Sequence, residues 1–114
     1  MKRAALSIGL ILFAFASVSL ASDLVFTEGN NFTEDGSFMV VGFVKNTSNY
    51  TMKDINITVK YYDKTGNFLR FETTSTDPPV LQPAEEASYR VAIPADKRIA
   101  SIKKTARWAI KEEN

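Results

Sequence analysis

Apolar residues recur at every second position along much of the chain, which is the period of a β-strand, because successive side chains of a strand point to opposite faces. The pattern is clearest in DINITVKYYD, where one face carries Ile55, Ile57, Val59 and Tyr61 and the other face is mostly polar. ASYRVAIP alternates in the same way and stops at a proline. Six or so such segments, separated by turn signals and without a long helical period, predict an all-β antiparallel sandwich.

The segment SFMVVGFVKN departs from this pattern because both of its faces are apolar. Its two rows are Phe38, Val40 and Val44 on one face, and Met39, Val41 and Phe43 on the other. We expect the first row to enter the single core of a small domain, which leaves the second row on the outer face of its sheet. Either another part of the chain folds over this second row, or the row stays partly open and binds a partner. Tyr62 and Phe68 are expected beside it, so the candidate interface is Met39, Val41, Phe43, Tyr62 and Phe68.

The last segment, ADKRIASIKKTARWAIK, fits two interpretations. Ile102, Trp108 and Ile110 fit the apolar face of a strand that Lys104 interrupts, whereas Ile99, Ile102 and Ile110 fit the stripe of a helix. We predict a strand, because the five preceding strands leave a sheet edge with which it can pair. Trp108 is then expected on the core side.

The chain begins with the three-part layout of a secretory signal peptide. Lys2 and Arg3 precede an uncharged apolar run that ends in Ser-Leu-Ala, with small residues at the first and third positions. We predict a signal peptide over residues 1–21, cleavage after Ala21, and one domain over residues 22–114. The alternative is an uncleaved anchor, because the apolar run approaches the roughly 20 residues that span a bilayer. In either case the domain is expected outside the cytoplasm, secreted or periplasmic.

Neither cysteine nor histidine occurs in the chain. Common nucleophile–base pairs and transition-metal sites draw on these residues, so we expect no enzyme, no catalytic residues, no cofactor and no metal site. Without Lys2 and Arg3, 12 of the 14 basic residues remain against 13 acidic ones, a net charge of −1. This balance gives no general attraction to nucleic acid.

Three stretches within residues 38–110 match a known family. They are GFVKN from Gly42 to Asn46, VKYYD from Val59 to Asp63 with a glycine in the turn that follows, and LQPAE from Leu81 to Glu85. Together they resemble the FxLYD domain, a small immunoglobulin-like β-sandwich of exported bacterial and archaeal proteins. Val59 and Tyr61 stand where that family has Phe and Leu, and Ala84 where Gly is usual. The resemblance implies an immunoglobulin-like fold of six to seven strands and brings no catalytic residues, because the family is defined by its fold.

Four N-x-S/T sequons occur, at Asn31, Asn46, Asn49 and Asn56. Roughly one would be expected by chance from the content of Asn, Ser and Thr, so the four are candidate glycosylation sites in a source that glycosylates exported proteins. A bacterial source would usually leave them unmodified. Asn46 also suits a structural role, because its side-chain amide can cap the turn that follows it.

These features predict an exported, non-enzymatic domain that acts as a protein–protein interaction or structural module of the cell envelope. The expected partner is another envelope protein, with a homodimer as the alternative. Membrane contact is expected only through an uncleaved leader. The competing function is a carbohydrate-binding or small-ligand-binding module at the cell surface, which would require a cluster of aromatic side chains open to solvent.

Overall fold

The computed structural model describes residues 23–112, and the predicted signal peptide lies outside them. The six strands are β1 (Leu24–Glu34), β2 (Ser37–Asn46), β3 (Met52–Tyr62), β4 (Phe68–Ser75), β5 (Glu86–Pro94) and β6 (Ser101–Ile110). They form two antiparallel three-stranded sheets, sheet I with the order β1-β2-β5 and sheet II with the order β4-β3-β6. The two sheets enclose one core, which confirms the predicted antiparallel β-sandwich.

β1 is longer than the sequence indicates. The alternation predicts a short strand over DLVFTE and then a polar turn-rich segment, but this segment continues as strand and pairs with β2 as far as Glu34. Only Asp35 and Gly36 form the turn, as their dipeptide predicts, and both have positive φ angles of 52° and 78°. Two successive residues with positive φ suit the right-handed twist of a two-residue hairpin.

The core lies between the sheets and is formed mainly by the inward residues of β2, β3 and β5, with Leu24 from β1 and Leu81 from the connection before β5. Its fully buried members are Leu24, Val40, Val44, Met52, Ile55, Ile57, Val59, Tyr61, Leu81, Ala87, Tyr89, Val91 and Ile93. Because the domain has no disulfide, this burial is the main favourable contribution to its stability.

β2 has the two faces that its sequence predicts. Val40 and Val44 belong to the core and Phe38 packs against it. The other row is covered at one end and open at the other, since Met39 is 4 % exposed and Phe43 is 41 % exposed.

The last segment is a strand, as predicted. β6 pairs along β3 at the edge of sheet II, and Ile102 and Trp108 pack against the core. Ile110 lies at the end of the strand and is 54 % exposed, so it contributes little to the core.

Candidate functional site

The first candidate site is the outer face of sheet I, the side of the sheet turned away from the core. Its central row is Met39, Val41 and Phe43 of β2. In register with this row lie Phe32, Asn30 and Glu28 of β1 on one side, and Ala92, Arg90 and Ser88 of β5 on the other. The sequence indicates the central row, but the two flanking rows follow only from the strand order.

Apolar side chains are exposed along this outer face. Val25 and Phe32 are each 37 % exposed and Phe43 is 41 % exposed. A shallow cavity of about 380 Å³ opens around Phe43, with Glu28 on the β1 side and Arg90 on the β5 side. The outer face of sheet I therefore presents an apolar centre with an acidic group on one flank and a basic group on the other.

Tyr62 and Phe68 do not lie beside this row. They belong to β3 and β4 of sheet II, where their rings pack edge to face with centroids 5.9 Å apart. Phe68 is 53 % exposed, and nearby Phe71 on the same strand is 58 % exposed. The five residues grouped from the sequence therefore divide into an apolar row on sheet I and an aromatic pair on sheet II.

The four sequon asparagines have different surroundings. Asn31 and Asn49 are exposed, whereas Asn56 is half-buried and accepts a hydrogen bond from the Ser75 hydroxyl at 3.3 Å. Asn46 is fully buried, and its amide nitrogen donates to two backbone carbonyls. An oligosaccharide cannot be accommodated on this nitrogen in the folded domain, so only the other three remain candidate acceptors.

The second candidate site lies on the inner side of sheet I, near the edge where β1 faces β6. Gly29 of β1 and Gly42 of β2 are direct cross-strand partners. A Cβ on Gly42 would lie 2.5 Å from the Tyr89 hydroxyl and would also clash with the Glu28 backbone carbonyl. The absence of side chains at the two glycines therefore provides the space into which the Tyr89 ring extends.

Lys104 of β6 reaches the same space from the opposite sheet. Its Nζ donates a hydrogen bond to the Tyr89 hydroxyl at 3.0 Å and lies 5.3 Å from the centroid of the Phe26 ring. Phe26 and Tyr89 pack edge to face, with centroids 5.8 Å apart. The Lys104 side chain is half-buried and forms no ion pair with any carboxylate of residues 23–112.

A cleft of about 320 Å³ opens beside the Lys104 ammonium, which we call the inner cleft. It is lined by Gly29, Asn30, Asn31, Val40, Ile102 and Lys104. The sequence gives one signal of this site, namely the charged residue that interrupts the apolar face of β6. Alternation alone could not identify the glycines and the tyrosine that meet it, because they come from three other strands.

The DKTGN turn uses its carboxylate for structure. Oδ1 of Asp63 accepts hydrogen bonds from the backbone amides of Thr65 and Asn67, both at 2.9 Å. The Asn67 amide, followed by the Thr65 hydroxyl, holds the pKa of the Asp63 carboxyl below its ordinary value. Residues 23–112 contain no group of three or more side chains arranged to hold a metal ion. Over the same range no helix is long and apolar enough to cross a membrane.

Comparison with known proteins identifies a similar fold but no family. No protein-family model matches the chain, and no curated protein matches it either. The crystal structure of a DUF1425 family member from Shewanella sp. pv-4 is similar, with a TM-score of 0.55, 15 % sequence identity, and coverage of 85 % of this chain and 88 % of that chain. At this identity the likeness concerns the fold alone, and it supports the β-sandwich.

Proposed function

We propose that this chain is an exported, non-enzymatic domain of the cell envelope that binds another envelope protein through the outer face of sheet I. The observation that supports this most directly is the exposure of Val25, Phe32 and Phe43 on one sheet face. Single exposed apolar residues are ordinary on soluble proteins, but these three lie along the apolar row of β2 on one sheet face, and an apolar sheet face open to solvent is typical of a binding surface. Aromatic residues and methionine are also enriched at the centres of protein interfaces.

The charges around this face indicate what its partner should look like. Glu28 and Arg90 flank the cavity on opposite sides, and neither forms an ion pair within residues 23–112. A partner with an apolar centre, a basic group opposite Glu28 and an acidic group opposite Arg90 would complement both flanks. Such charges at the rim favour correct orientation and fast association more than they add affinity.

Export rests on the sequence of the leader, with its two basic residues, apolar run and Ser-Leu-Ala end. The FxLYD resemblance points the same way, because that family occurs in exported proteins. The absence of histidine and cysteine supports a binding rather than a catalytic role. Mass measurement of the exported protein should give a mature chain that starts at Ser22, and retention of Met1 would instead favour the uncleaved anchor.

The substitution Phe43→Ser tests whether the outer face of sheet I binds the partner. Partner capture by crosslinking in intact cells and urea unfolding are measured on the same variant. We expect capture to be lost while the free energy of unfolding falls by no more than about 2 kcal/mol, because Phe43 is 41 % exposed and only its buried part contributes to stability. The matched control is Phe68→Ser, the same substitution at an exposed ring on sheet II, which should leave capture intact.

Two results would contradict this proposal. Unchanged capture by Phe43→Ser would remove the outer face of sheet I from the interaction. A loss of about 3–5 kcal/mol, typical of truncating a buried Phe, would show that the ring is ordinary core. If sedimentation shows that the wild-type protein is a dimer and Phe43→Ser a monomer, the partner is a second copy of the chain.

Carbohydrate binding is the second candidate function, and the aromatic side chains of sheet II favour it. Phe68 and Phe71 are 53 % and 58 % exposed, and exposed rings can pack against the apolar faces of sugars. In this case Phe68→Ser and Phe71→Ser should abolish retention on envelope polysaccharide, whereas Phe43→Ser should not. The Tyr62 and Phe68 rings meet edge to face and do not form one flat platform, so we place protein binding first.

A further inference from the structure

The Lys104 ammonium has more hydrogen-bonding capacity than its surroundings use. A lysine ammonium carries three donors, and in Lys104 one of them reaches the Tyr89 hydroxyl. The rings of Phe26 and Tyr89, with centroids 5.3 Å and 5.7 Å from Nζ, add cation–π attraction but accept no conventional hydrogen bond. Two donors therefore remain, on a half-buried side chain without a carboxylate partner in residues 23–112.

Tyr89 holds the ammonium in place. Its hydroxyl accepts the hydrogen bond from Nζ of Lys104, although Tyr89 itself does not line the cleft. The ring is held in position by the core, since Tyr89 is 3 % exposed. The ammonium is thus positioned before any ligand arrives, which reduces the entropy lost on binding.

The glycine at position 29 keeps this site open. A Cβ on Gly29 would lie 2.7 Å from Nζ of Lys104, so any side chain would displace the ammonium. Asn31, on the same strand, lines the cleft and is exposed. The cleft volume of about 320 Å³ lies at the lower end of the range of roughly 300–1,000 Å³ typical of small-molecule sites.

We propose that the inner cleft binds a carboxylate group, which accepts hydrogen bonds from the free donors of Lys104 Nζ. The one positive charge that lines the cleft matches a monoanion, whereas a phosphate dianion would be left with uncompensated charge. A uronic-acid sugar and an acidic side chain of a peptide can both supply this group. The proposal does not rest on binding at the outer face of sheet I, because Lys104 and Ile102 line the inner cleft alone, although Gly29 and Asn30 line both cavities.

The test is amide chemical-shift titration of the exported, isotope-labelled protein with sodium acetate, sodium glucuronate, and an N-acetylated, C-amidated Gly-Glu-Gly peptide. We expect saturable shifts at Gly29, Asn31 and Ile102. Tighter binding of glucuronate than of acetate would identify a sugar acid, and tighter binding of the peptide would identify an acidic side chain. Inorganic phosphate is the comparison anion, and binding as tight as that of acetate would overturn the carboxylate assignment.

Two variants and a matched control locate the donor. Lys104→Met keeps most of the aliphatic stem and removes the charge, so the dissociation constant should rise by at least about tenfold, the effect of losing one charged hydrogen bond. Lys103→Met makes the same change on the exposed neighbouring residue and should leave binding unchanged. Gly29→Ala keeps the ammonium but places a methyl group 2.7 Å from the present position of Nζ. The ammonium must then shift from its place at the cleft, so this variant should also weaken binding, which covers the case that Lys104→Met does not fold. Absence of saturable shifts in the wild-type protein, or equal binding by Lys104→Met or Gly29→Ala, would overturn the proposal.

Discussion

Asn46→Ala should destabilise the domain strongly, because the Asn46 side chain is fully buried and joins three parts of the chain. Its amide nitrogen donates to the carbonyls of Tyr50 and Leu81, at 2.9 Å and 3.0 Å. Its Oδ1 accepts from the backbone amide and the hydroxyl of Ser48, at 2.9 Å and 2.6 Å. One side chain thus holds the end of β2, the turn after it and the connection that leads to β5.

The magnitude follows from which partners are left unsatisfied. Each hydrogen bond contributes about 0.5–1.5 kcal/mol net, so four of them contribute roughly 2–6 kcal/mol. The Leu81 carbonyl keeps the Met52 amide as a donor at 2.8 Å. The Tyr50 carbonyl lies 3.1 Å from the Ser48 hydroxyl, whose single proton becomes available to it once Asn46 no longer accepts that proton. Since neither carbonyl is left without a donor, we expect the lower part of that range, about 2–4 kcal/mol. That loss is a large fraction of the roughly 5–15 kcal/mol typical of a whole domain.

The assay is urea unfolding of the exported protein, followed by the fluorescence of Trp108, which packs against the core. The matched control is Asn49→Ala, which removes an exposed asparagine and a second sequon from the same connection. We expect the control to stay within about 0.5 kcal/mol of the wild type. Equal unfolding midpoints for Asn46→Ala and Asn49→Ala would refute the assignment of Asn46 as the hydrogen-bonding centre of this region.

Tyr61→Phe should leave the free energy of unfolding unchanged or raise it by up to about 1 kcal/mol in the same urea assay. The Tyr61 hydroxyl is buried without a hydrogen-bond partner in the described chain, and burial raises its pKa. A marked loss of stability would reveal a partner for this hydroxyl. Asp63→Asn should lower the free energy of unfolding at pH values above about 4, the ordinary pKa of an Asp side chain. The reason is that hydrogen bonds from the Asn67 amide and the Thr65 hydroxyl lower the pKa of Asp63 in the folded state. The difference between wild type and variant should disappear as pH falls through that lower value, and a difference that does not change with pH would rule out this contribution.

Strands with one clearly apolar face could be predicted from the sequence because burial of that face determines their period. β3 and β5 are buried at alternate positions along most of their length. The period of β6 also fits a helix, so its prediction as a strand rested on the free sheet edge with which it pairs. The polar half of β1 could not be predicted in this way. Its residues from Thr27 to Glu34 are all exposed, so they carry no apolar period, and the segment is strand because its backbone pairs with β2.

Alternation also cannot tell which sheet a strand joins. It placed Met39 and Phe68 on outward faces, but the strand order puts the first on sheet I and the second on sheet II. Residues on the outer faces of opposite sheets are separated by the whole core. Alternation could therefore predict that the β2 row points outward, but it could not predict which residues of other strands lie beside that row.

The GFVKN segment shows why a motif in this chain gives little information about function. Gly42, Val44 and Asn46 occupy successive inward positions of β2, and each meets a different requirement of packing. Gly42 provides space for the Tyr89 ring, Val44 fills the core, and Asn46 holds the connections by hydrogen bonds. All three requirements concern how sheet I packs against the core and the neighbouring connections. Domains that bind unrelated partners can therefore meet them equally well. The residues that would distinguish one such domain from another are therefore the outward side chains of sheet I and Lys104, which has no carboxylate partner in residues 23–112. These residues lie outside the GFVKN segment or between its inward positions.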